Sequence, residues 1–140
     1  MPPIIREFQP KDYAAVAELW EASGIRTESL EDVRFKLQRD PELFLVAEDG
    51  GDIVGVVLGT FDGRFGSVNR LAITESHRRG GLASALLERV EDSLRAKGAR
   101  RVWAWIEGHN QASRALFARN GYEEWQAVVT ATKTLLPPPS

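Results

Sequence analysis

Strand-like and helix-like spacings of apolar residues alternate along this 140-residue chain, and the alternation predicts its elements. Ile4 to Phe8 predicts a short strand. Pro10 then opens a helix through Ser23, with Tyr13, Val16, Ala17 and Trp20 on one face by the three-four spacing. A second helix is expected from about Leu30 to Arg39. Leu43 to Ala47 is a continuous apolar strand, and the turn Asp49-Gly50-Gly51-Asp52 folds it onto Ile53 to Phe61 as an antiparallel hairpin. Asp62-Gly63 turns the chain into a strand from Gly66 to Ile73. A helix follows from about Leu82 to Lys97, with Ala83, Leu86, Leu87, Val90 and Leu94 inward and Glu88, Glu91, Asp92 and Arg95 outward, and Gly98 ends it. Val102 to Ile106 reads as a buried strand on which Trp103 and Trp105 share a side. Asn110 to Asn120 reads as a short helix stopped by Gly121, and Trp125 to Leu136 as one or two further strands. Neither a repeat nor a linker interrupts the pattern, so residues 1–136 are expected to form a single domain with a Pro-rich tail at 137–140.

Between the strand ending at Ile73 and the helix starting at Leu82 lies Arg78-Arg79-Gly80-Gly81-Leu82-Ala83. A strand, a glycine-rich turn and a helix start aim unsatisfied N–H groups and the positive end of the helix dipole at one point, which favours a polyanion. Gly80 and Gly81 carry no Cβ to obstruct a phosphate oxygen, and Arg78 and Arg79 can neutralise it. The Gly-Lys-Ser/Thr triplet of nucleotide hydrolases is missing, as is the Gly-x-Gly-x-x-Gly spacing of dinucleotide folds. A cradle that holds a diphosphate without cutting it remains, against the plainer reading of a turn before a surface helix.

Composition narrows the chemistry further. With 43% hydrophobic and 27% charged residues the chain is an ordinary globule, and a net charge of -2 argues against binding nucleic acid through bulk positive charge. There is no cysteine, which removes disulfides, thiolate zinc sites and a cysteine nucleophile. Two histidines without a nearby carboxylate cluster predict no metal site. No apolar run approaches a membrane span and no signal region precedes the first strand, so a cytoplasmic protein without membrane contact is expected.

The order β-α-α-β-β-β-α-β-α-β, with Arg78-x-x-Gly81-x-Ala83 after the fourth strand and Asn110-x-x-Ser113-x-x-x-Phe117-x-x-x-Gly121-Tyr122 after the fifth, resembles the GNAT superfamily of N-acetyltransferases. Within it the chain is most similar to small bacterial single-domain members. The resemblance implies an α/β (α+β) fold: a mixed, mostly antiparallel twisted sheet of six to seven strands, splayed between strands 4 and 5, with about four helices. It implies acetyl-CoA as co-substrate, bound through its diphosphate by Arg78, Arg79, Gly80, Gly81, Leu82, Ala83 and Ser84. Leu71, Ala72 and Ile73 would pair with the pantetheine arm, the Ile73 N–H would serve as oxyanion donor, and Asn110, Ser113 and Phe117 would line the arm on one helical stripe. Asn110 equally suits a helix N-cap.

Two departures bear on mechanism. Many members carry a tyrosine where this chain has Phe117, so that position cannot protonate the departing sulfur; Tyr122 is a weak substitute that reads better as packing. A thiol pKa of about 8.5 makes the thiolate a tolerable leaving group without an acid. The strand glutamate that serves several members as base is replaced by Asn69 and Arg70, which leaves Glu107 as the preferred base and His109 as the next. Glu28, Glu31 and Asp32 form an acidic group suited either to a cationic amine or to a solvated helix face. Trp103, Trp105 and Trp125 are expected in the core, with one of them available to wall an acceptor pocket. Partners are expected to be a small-molecule amine or a peptide N-terminus, with a homodimer left open. The function implied is acetyl transfer to a primary amine by direct attack in a ternary complex; the alternative is a non-catalytic acyl-CoA binding module.

Overall fold

The alternating pattern is realised, in a computed structural model that describes residues 2–136, as β1 (Ile4–Glu7), α1 (Tyr13–Ala22), α2 (Leu30–Arg39), β2 (Phe44–Asp49), β3 (Asp52–Phe61), β4 (Gly66–Ile73), α3 (Leu82–Ala96), β5 (Val102–Ala104) and α4 (Gln111–Arg119). The chain divides between Trp105 and Ile106 into two units. The first holds one sheet in the order β1-β2-β3-β4-β5, antiparallel from β1 to β4 and parallel between β4 and β5. Asp49 pairs with Asp52 across the β2–β3 turn, whose Gly50 and Gly51 take φ of 59° and 90°. Left-handed backbone at both central positions is what a tight hairpin of this twist requires.

Each face of this sheet is covered for a readable reason. On one, Val16, Leu19 and Trp20 of α1 and Val33 of α2 are buried, and Val16, Trp20 and Val33 join Phe8, Phe44, Val46, Val56, Leu58 and Ala72 in one core. α2 starts where Ser29 Oγ accepts from the Asp32 N–H at 3.1 Å. On the other face lies α3, buried along Leu82, Leu86, Leu87, Val90 and Leu94. Here the sheet is kept low by glycine: a Cβ on Gly55, Gly59 or Gly66 would stand 2.9, 2.7 and 2.7 Å from side-chain atoms of Leu86, Val90 and Leu94. α3 therefore sits closer to β3 and β4 than side chains at those positions would allow.

β4 contains one extra residue. Leu58 pairs with Asn69 and Val56 with Ala72, so the strand bulges at Arg70, whose φ is 52°. The bulge inverts the side-chain alternation: Ala72 joins the α1-side core, while the Ile73 side chain turns toward Gly55 on the α3 side. Trp20 Nε1 donates to the Arg70 carbonyl at 3.2 Å, and the Arg70 guanidinium reaches the Arg26 carbonyl at 3.0 Å and Glu28 at 3.6 Å.

The sheet has five strands among the described residues, not six to seven. Trp125 to Leu136, expected as strand, is turn and irregular chain here, with Val129 88% exposed. β-propensity alone supplies no partner for a ladder. The Pro-rich tail 137–140 lies outside the described residues. Trp103, Trp105 and Trp125, expected in the core, are exposed. Trp103 pairs in register with Ser67 on an edge strand, on a face where the Ser67 and Thr60 hydroxyls bond each other instead of presenting an apolar layer. Trp103 and Trp105 line an open groove of about 610 Å³ with Arg39, Phe61 and Phe65, at the amino end of β4.

The second unit is organised by α4. Asn110 caps it, Phe117 is its buried residue, and Gly121, at φ 89°, ends it. The Phe117 and Tyr122 rings pack edge-on with centroids 4.9 Å apart. Arg114 forks onto Glu124 at 2.7 and 3.0 Å, and this pairing holds the Glu124 carboxyl below its ordinary pKa.

Candidate active site

Parallel pairing of β4 with β5 covers Gly66, Ser67 and Val68 only. From Asn69 to Ile73, β4 runs on with no strand on that edge among the described residues. An unpaired strand edge offers a row of main-chain donors and acceptors, the requirement for an extended polar ligand to add like a strand. Leu71, Ala72 and Ile73 lie on this stretch, the last two with buried side chains. The Arg78 Nε donates to the Ile73 carbonyl at 3.1 Å, folding the head of the following loop back onto the strand end.

The loop itself has the shape its sequence requires. Arg79 and Gly81 adopt φ of 67° and 84°, and Arg78 through Gly81 are exposed while Leu82 is buried. Gly81 is the N-cap of α3 and no side chain caps it. Gly81 has no side chain, so the N-cap position supplies no oxygen to the first N–H groups of the helix. A Cβ on Gly81 would meet nothing within 4 Å, and one on Gly80 only the His77 carbonyl at 3.9 Å, so the space over the glycines is open. Open room, main-chain donors and two guanidinium groups suit a diphosphate. Ala83 and Ser84, half-buried, continue the first turn of α3.

The remaining residues singled out from the sequence belong to the second unit. Asn110 Oδ1 accepts from the Ser113 N–H at 3.0 Å, so the capping role is realised and the amide nitrogen is the part of Asn110 that could meet a ligand. Ser113 is half-buried, and Phe117 is 6% exposed. The side chains of Glu107 and His109 are 80% and 84% exposed, with Glu107 Oε2 and His109 Nδ1 4.0 Å apart. The acidic group near α2 has local partners: Glu28 pairs with Arg70, while Glu31 and Asp32 are exposed in the first turn of the helix, where the dipole favours them. Among the described residues no three His, Cys, Asp or Glu side chains could hold a metal ion, and no helix is long and apolar enough to cross a membrane.

The bulge at Arg70 and the hydrogen bonds of His77 escape a reading of the sequence. Arginine carries no signal for left-handed backbone, and the partner that holds it, Trp20, lies 50 residues away.

Residues 7–122 match the acetyltransferase (GNAT) family. An acetyltransferase of Sodalis glossinidius is 33% identical over 135 residues, covering 94% of this chain and 95% of that protein. Among solved structures, Ard1 from Thermoplasma volcanium superposes with a TM-score of 0.80 at 24% identity, over 94% of this chain and 86% of its own. The diaminobutyrate acetyltransferase EctA from Paenibacillus lautus, in complex with L-2,4-diaminobutyric acid and coenzyme A, gives a TM-score of 0.76 at 27% identity, over 84% of this chain and 74% of its own.

Proposed function

The chain belongs to the acetyltransferase (GNAT) family and is an acyl-CoA-dependent N-acyltransferase; from that premise we propose that it transfers acetyl to a primary amine, of a small molecule or a peptide N-terminus, in the cytoplasm. One observation carries this reading: the exposed, uncapped glycine loop stands at the end of the unpaired β4 edge. Arg78, Arg79, Gly80, Gly81, Leu82, Ala83 and Ser84 would hold the diphosphate of acetyl-CoA, and Leu71, Ala72 and Ile73 its extended arm. That co-substrate supplies an acyl group already activated as a thioester. The amine as acceptor class is supported by the diamino acid bound to the EctA relative.

The chain's own residues have three tasks in direct attack. The Ile73 N–H would serve as the oxyanion donor, since a fixed main-chain donor stabilises charge that appears only in the transition state. An alkyl ammonium with a pKa of about 10 must lose its proton before it attacks, and Glu107 is our candidate to take it, directly or through water. Asn110, through its amide nitrogen, and Ser113 would steady the arm. Phe117 has no proton to give, so the thiolate leaves unprotonated or is protonated by solvent.

Release of free thiol from acetyl-CoA, measured with purified protein and a panel of amines, amino acids and N-terminal peptides, tests the proposal. Acceptor-dependent release is expected. Release that no amine stimulates, beside intact CoA binding, would contradict it.

A further inference from the structure

We propose that His77 is a positioning residue for the glycine loop, fastening its leading end to the tip of the β2–β3 hairpin so that the loop is already in the shape that takes a diphosphate. The inference rests on the reading of Arg78 to Ser84 as the CoA grip.

Arg79, Gly80 and Gly81 donate no main-chain hydrogen bond to any described residue, and two of the three sit at positive φ. Such a loop keeps its shape only if both ends are held. α3 holds one end. At the other, the single helical turn Glu75–His77 precedes Arg78, and the His77 ring is bonded on both nitrogens. Its Nε2 lies 2.7 Å from Asp49 Oδ2, and its Nδ1 lies 2.9 Å from Ser76 Oγ and 3.2 Å from Thr74 Oγ1. Ionised carboxylate only accepts, so Nε2–H donates to Asp49 and a neutral ring leaves Nδ1 to accept from a hydroxyl. Asp49 is the last residue of β2 and is fixed by its pairing with Asp52. The imidazole thus ties the end of β4, the turn and the hairpin tip together across 28 residues of sequence. Without it that end would be held only by Arg78 on the Ile73 carbonyl and by the turn's own main-chain bonds, and whatever ordering is then left to the moment of binding is subtracted from affinity.

The test measures coenzyme A binding by calorimetry, together with amide hydrogen exchange of residues 78–84, on the full chain. His77→Ala is expected to weaken CoA roughly tenfold, which is about 1.4 kcal/mol, and to speed exchange across the loop in the free protein. His77→Gln, whose amide can still donate to Asp49, should recover most of the affinity. Asp49→Ala removes the acceptor and reads the same bond should His77→Ala fail to fold. The pair His77→Ala with Asp49→Ala should be no weaker than the poorer single variant, since both act through one contact. Gly81→Val separates the two levels of inference. If it weakens CoA and the His77 and Asp49 variants do not, His77 has no positioning role; if Gly81→Val also leaves CoA binding unchanged, the loop is not the grip. Additive losses in the double variant would likewise overturn the proposal.

Discussion

Replacing Gly59 by alanine should destabilise the protein, although alanine is the better residue for a strand. A methyl there would stand 2.7 Å from Val90 Cγ2 and 3.5 Å from Leu43 Cβ and the Leu43 carbonyl oxygen. Carbon atoms prefer about 3.5–4.0 Å, so Val90 must retreat by about 1 Å. It has nowhere to go: Val90 is wholly buried, and a β-branched side chain in a helix has one strongly preferred rotamer. Overpacking of this kind costs about 1–3 kcal/mol, offset by about 0.5–1 kcal/mol from removing a flexible glycine. The net loss should be about 1–2 kcal/mol, read from urea unfolding followed by tryptophan fluorescence. In a Val90→Ala background the clashing carbon is gone and the same substitution should become stabilising. An increase in stability in the wild-type background, or an equal effect in both, would show that α3 does not lie as close to β3 as described.

Other expectations follow from single contacts. Burial pushes the Asp12 carboxyl up, but the Arg6 guanidinium at 2.8 and 3.0 Å and the Gln9 N–H outweigh it and leave the pKa below the ordinary value. A carboxyl depressed on folding stabilises above its unfolded pKa of about 3.9 and loses that contribution as pH falls through the folded value. Asp12→Asn should therefore cost about 1–3 kcal/mol at pH 7, and the gap to wild type should close below about pH 4 in acid-unfolding curves. Trp20→Phe leaves the Arg70 carbonyl without its donor and should lower stability by at least about 1–3 kcal/mol in thermal unfolding; an unchanged midpoint would remove Trp20 from the support of the bulge. Phe117→Tyr should preserve or raise turnover, measured as thiol release, whereas a sharp fall would mean that this ring tolerates no added hydroxyl beside Tyr122.

What the sequence discloses and what it hides divide along the range of the forces involved. α2 spans Leu30–Arg39 and β4 spans Gly66–Ile73, as the apolar spacing indicates, because caps and periodicity act within a few residues. The turn into α3 was equally legible, since Gly81 takes the left-handed backbone that glycine favours, although Arg79 beside it does so without any signal in its residue type. The family resemblance then assigned roles that no spacing could. Hidden were the features set by distant partners: the Arg70 bulge under Trp20, the His77 bond to Asp49, and the low seat of α3 over three glycines. Misread were Trp103 and Trp105, whose aromatic character suggested a core that a three-residue edge strand does not build. Asn110 shows the two levels meeting, as the cap is local and visible while any role toward a ligand depends on what approaches it.

The central claim is that the end of β4 and the glycine loop grip coenzyme A. Titration of isotopically labelled protein with coenzyme A, followed by backbone amide shifts, tests it most directly. The largest shifts should fall on the amides of Gly80 to Ser84 and of Leu71 to Ile73. Binding that left those amides unmoved while shifting others would contradict the account.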